Sequence, residues 1–138
     1  MTALTLPFAS APADVPVTRR LWQLSLALLA AAALTSLAAL LDERLLGGSS
    51  VWMKPLKFQL ALALQTATIA WALGLLAGTT RQRAMPRGLW LLWLAVVLFE
   101  AGYITLQGGR GVASHFNRST PLESVLGTVM GVGAGVLV

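Results

Sequence analysis

Cysteine is absent from this chain, and histidine, tyrosine and charge of either sign are scarce. Without cysteine there can be no disulfide, no thiolate metal site and no cysteine nucleophile. The one histidine, His115, cannot build a metal or haem site unless carboxylates or a second subunit join it, so neither metal nor cofactor is expected. Charged residues make up 11% of the chain, against about 25% in a soluble domain. Long polar segments are missing as well, which leaves no room for a separate soluble domain.

What the chain has in quantity is apolar sequence: 57% of its residues are hydrophobic and three runs approach or exceed the ~20 residues that a membrane-crossing helix needs. The expected fold is all-α, an integral membrane bundle of four transmembrane helices at about 21–41, 55–77, 89–107 and 121–138. Residues 1–18 read as a disordered tail, and 19–138 as a single transmembrane domain. Arg19 and Arg20 before the first apolar run, with small residues at 31–33, also fit a cleaved signal peptide. The run continues to Leu41, which favours an uncleaved anchor. Pro55 suits the first position of the second helix and Gly78 its stop, while Trp90 and Trp93 resemble an interfacial belt. Thr120, Pro121 and Glu123 have the spacing of an N-cap, a first helical position and a capping box. From Leu122 the last helix covers only about 26 Å, so it is expected to be truncated or to end within the membrane.

The net charge of +5 implies no nucleic-acid partner, because the basic residues flank apolar runs, where they touch lipid headgroups. The two sides of the membrane would carry five basic residues each. The dense clusters Arg19–Arg20 and Arg81–Arg83–Arg87 favour a cytoplasmic N-terminus in a bacterial inner membrane.

Against this background one polar constellation stands out. At about 100° per residue, Glu100, Tyr103 and Gln107 share one arc of the third helix, which Arg110 extends. Lys57, Ala61, Gln65, Thr68 and Ala72 share a similar arc of the second. Glu100 falls at a depth between Lys57 and Gln65, and an intramembrane carboxylate costs roughly 3 kcal/mol or more on insertion scales. It is therefore expected to pair with Lys57 or to be protonated. Gly108-Gly109-Arg110-Gly111 reads either as an anion-holding nest or as a plain helix C-cap. The candidate ligand-binding set is Lys54, Lys57, Gln65, Glu100, Tyr103, Gln107, Arg110, His115 and Asn117, with His115 and Asn117 as a lid. Gly127, Gly131 and Gly135 form a double GxxxG, a packing face for another span, a partner helix or a second copy.

Two segments, Trp52-Met53-Lys54-Pro55-Leu56-Lys57-Phe58 and Glu100-x3-Ile104-x2-Gln107-x2-Arg110-Gly111-x2-Ser114-His115-Phe116-Asn117, resemble a family of uncharacterised bacterial multi-pass membrane proteins. The resemblance covers roughly residues 51–121 and implies neither an activity nor a cofactor. It does imply that relatives continue beyond the fourth helix.

The expected function is binding or transport of a small anionic or polar ligand at an outward-facing site between the second and third helices. The alternative is a structural or assembly subunit in which Glu100–Lys57 and the glycine helix serve packing. An intramembrane enzyme acting on lipid headgroups ranks last, since no nucleophile or metal set supports it.

Overall fold

The structure is a computed structural model, and it describes residues 16–77, 80, 86–114 and 120–137. Helices α1 (Pro16–Leu41), α2 (Met53–Leu75), α3 (Arg87–Arg110) and α4 (Pro121–Leu137) make up nearly all of it. Between α1 and α2 lies a small hairpin of β1 (Leu45–Leu46) and β2 (Ser49–Ser50). Three helices, spanning Val17–Leu41, Met53–Leu75 and Arg87–Arg110, are long and apolar enough to cross a membrane; α4 is shorter, at 17 residues.

The hairpin pairs Leu45 with Ser50 and Leu46 with Ser49 across a tight turn. Gly47 and Gly48 both take positive φ, +59° and +81°, which a two-residue loop matching the twist of its strands requires. Helix α1 starts at Pro16, so residues 16–18 are helical and not part of a tail. Helix α2 starts two residues before Pro55, and the Leu56 N–H donates to the Trp52 carbonyl (3.0 Å). Pro55 sits in the first turn, where its missing N–H leaves no helical bond unmade. The helix ends at Leu75, with Leu76 extended; the expected stop, Gly78, lies outside the described residues.

The core joins Leu21 and Leu28 of α1 to Leu62, Ala63, Ala70 and Leu73 of α2 and to Trp90, Trp93 and Val97 of α3. Small residues let α1 and α2 approach closely, and the Ser25 hydroxyl donates to the Ala63 carbonyl at 2.9 Å. Trp90 and Trp93 are not an interfacial belt. They are buried and stacked at 6.5 Å, inside the bundle.

The polar face expected on α2 is also corrected. The helix buries Gln59, Leu62, Ala63, Thr66, Ala70 and Leu73 instead, while Lys57, Ala61, Thr68 and Ala72 are exposed. Close packing against α1 decides the orientation of α2, and that interface is built largely of leucine and alanine.

Candidate functional site

At the hairpin end, the last turn of α3 is fastened to the start of α2. Gly111, at φ +70°, closes α3: its N–H donates to the Gly108 carbonyl (2.9 Å), and the Val112 N–H donates to that of Gln107 (3.1 Å). This pairing satisfies the helix end, so the glycine loop is a C-cap, and those two amides are not turned toward an anion. Arg44 binds Asp42 through two nitrogens and also donates from Nη2 to the Gly109 carbonyl (3.0 Å). The Trp52 indole N–H donates to the same Asp42 carboxylate at 2.7 Å. Hydrogen bonds from Arg44 first, and from Trp52 second, hold the Asp42 carboxyl well below the usual carboxylate range; Asp42 in turn raises Arg44.

Below this fastening runs a polar ladder on α3. Residues three and four apart stack on one helix face, which brings Arg110, Gln107, Tyr103 and Glu100 into line. Arg110 Nη1 donates to Glu123 Oε1 of α4 (3.1 Å) and to Gln107 Oε1 (2.9 Å). Gln107 is fully buried, and its Nε2 donates to the Tyr103 hydroxyl oxygen at 2.8 Å. Tyr103 stacks on Phe99 and packs beside Ile104 and the buried Met130 of α4.

The next position down is Glu100, 1% exposed, whose Oε1 has no hydrogen-bond partner. A β-carbon at Gly133 of α4 would stand 2.8 Å from that oxygen and 3.2 Å from Val96 Cγ1. The carboxyl therefore rests against bare backbone. Further along, Gln65 Nε2 donates to the Leu137 carbonyl, tying the other end of α4 to α2.

The wall facing Glu100 is thus α4, where the sequence pointed to α2. The expected Glu100–Lys57 ion pair is not formed: among the described residues the ion pairs are Asp42–Arg44 (2.7 Å) and Arg110–Glu123 (3.1 Å). Lys57 is exposed and lines, with Lys54, a separate groove beside the hairpin. Arg110 extends the ladder as expected, but toward Glu123. His115 and Asn117 lie outside the described residues.

Three features of the site escape sequence reasoning. The spacing around Glu123 suggests only a cap; the Thr120 hydroxyl oxygen does accept its N–H (3.2 Å), while its carboxylate binds Arg110. Gly133 makes the close approach, whereas a β-carbon added at Gly127, Gly131 or Gly135 of the GxxxG pattern would meet nothing within 4 Å. Gln59 is buried against α3, with Nε2 donating to the Thr105 hydroxyl oxygen (3.0 Å). Its polarity among apolar neighbours is visible in the sequence, but its position near a helix end suggests the mouth of a site and not an interface.

Chemically, the ladder offers a buried carboxyl with an unused acceptor oxygen, suited to a hydrogen-bond donor or a cation. Compared with protein-family models, curated proteins and solved structures, the chain matches none.

Proposed function

We propose that this is a multi-pass membrane protein that binds or transports a small polar solute, with Glu100 as the group that holds it. The observation that carries this reading is the Glu100 carboxyl, buried with one oxygen unpartnered. A polar group withheld from water without a partner is costly, and intramembrane ionisable residues mark solute or ion paths. Insertion is supported by large leucines exposed on α1, α2 and α3, among them Leu34, Leu40, Leu64 and Leu98. With the N-terminus cytoplasmic, as Arg19 and Arg20 favour, the hairpin end and Arg110 face outward. Because the floor is a carboxyl and both lysines lie elsewhere, a solute with N–H or O–H donors fits better than an anion.

The test is a thermal-shift panel on the purified full chain and its Glu100→Gln variant. The panel holds amino acids, small amines, polyols and inorganic phosphate. A donor-bearing solute should stabilise the wild type, by about 2.7 kcal/mol at a hundred times its Kd, and leave Glu100→Gln unmoved. Equal stabilisation of both proteins, or of neither by any solute, rejects the reading.

A second reading, an assembly subunit, is favoured by the open Gly127–Gly131–Gly135 face of α4. Here Glu100 only packs, Glu100→Leu is at least as stable as wild type, and Gly131→Leu lowers the mass of the particle in solution.

A further inference from the structure

The two lysines that the ladder does not use share a groove of their own. Its volume is about 330 Å³, and it lies between the hairpin and the first turns of α2. Ser49, Ser50 and Leu46 line it from the hairpin, and Met53, Lys54, Lys57 and Phe58 from α2.

Two positive charges meet in this groove. Lys54 and Lys57 stand three residues apart on one helix face, so their charges repel. Both occupy the N-terminal end of α2, where the helix dipole disfavours cations and attracts anions. Lys57 has no ion-pair partner among the described residues. Ser50 Oγ accepts the Trp52 N–H (3.3 Å), which leaves its hydroxyl hydrogen to donate elsewhere. Apolar side chains line the same groove. Leu46 and Met53 are 44% and 40% exposed, and Phe58 lies one turn deeper than the first lysine. Two ammonium groups and serine hydroxyls, with apolar side chains beside them, complement an amphipathic anion.

We propose that this groove seats one anionic phospholipid, its phosphate on Lys54, Lys57 and Ser50 and its acyl chains running down α2 past Phe58. The occupant is a lipid and not a free anion because the groove's apolar lining has no use in holding phosphate alone. It is an anionic lipid because a zwitterionic headgroup carries its own cation into a site already positive. The proposal stands apart from the Glu100 reading, since none of these residues belongs to the ladder.

Native mass spectrometry of the full chain, released from neutral detergent, tests it. Dioleoyl phosphatidylglycerol, dioleoyl phosphatidylcholine and inorganic phosphate are titrated separately. One phosphatidylglycerol should bind, more tightly than phosphatidylcholine. The Lys54→Gln/Lys57→Gln variant should weaken it roughly thirtyfold, from the about fivefold that each basic residue contributes near an anionic lipid. Lys54→Arg/Lys57→Arg should retain binding, which separates lost charge from a damaged fold. Arg19→Gln/Arg20→Gln, at the other end of α1, should also bind as wild type does. The proposal is overturned by unchanged affinity in the glutamine variant, by equal weakening in the Arg19/Arg20 variant, by loss in the arginine variant, or by displacement of the lipid with inorganic phosphate.

Discussion

The ring of Pro55 rests on the backbone of Gly108 so closely that a β-carbon there would stand 2.6 Å from Pro55 Cγ and 3.0 Å from the Val51 carbonyl oxygen. Neither neighbour can yield, one being a ring and the other main chain. Gly108→Ala should therefore destabilise the protein by about 1–3 kcal/mol, as overpacking does. Gly102→Ala, which would meet nothing within 4 Å, should be neutral or slightly stabilising. Thermal unfolding of both variants in one detergent checks the contrast.

At Gly133 the outcome differs in kind. The closest obstacle to a β-carbon is Glu100 Oε1, the far end of a flexible side chain. Gly133→Ala should cost less stability than Gly108→Ala, because the carboxyl can swing aside. That displacement should nevertheless abolish any solute-induced thermal shift. A Gly133→Ala protein that unfolds like wild type and still responds to the solute would contradict the placement of the site.

Gln107 links two partners from a fully buried position. Gln107→Leu keeps the bulk but removes the bonds to Tyr103 and Arg110. Leaving a buried polar group unsatisfied costs about 1–3 kcal/mol, so a clear fall in Tm is expected. No fall in Tm would mean that the ladder contributes nothing to holding α3 and α4 together.

Asp42 makes a prediction about pH. Its carboxyl in the folded chain titrates far below its ordinary value of 3.8. A depressed carboxyl stabilises the fold fully above its unfolded value and loses that contribution only as pH falls toward the folded one. The Tm difference between wild type and Asp42→Asn should thus be constant from about pH 5 upward, shrinking only in strong acid. A difference that disappears between pH 5 and 7 would show that Arg44 and Trp52 do not hold the carboxylate as described.

How far the sequence can be read depends on which force decides each feature. Hydropathy and helix length are enough to locate all four helices, because those depend on local composition. The face of α3 is legible too, since Glu100, Tyr103 and Gln107 are too polar to lie outside an apolar bundle. The face of α2 is not. Gln59 and Thr66 point inward while Lys57 and Thr68 point outward, so polarity alone cannot choose between them. The choice follows from how closely Ala63 and Ala70 let α1 approach, which is a matter of shape. Glycine shows the same limit: Gly127, Gly131 and Gly135 repeat conspicuously, and the unrepeated Gly133 makes the contact.

The fastening at the hairpin end bears on how a solute would enter. On the α3 side it is made of backbone, the bare Cα of Gly108 and the carbonyl of Gly109, met by Pro55 and Arg44. At Gly108 the seam between α2 and α3 is therefore shut by steric fit, which neither a change of charge nor a counter-ion can loosen. On the proposed function, a solute reaches Glu100 along α4, whose ties are an ion pair at Arg110 and a hydrogen bond at Gln65 that a polar molecule can replace one at a time. On that reading, of the walls around the carboxyl, α4 is the door.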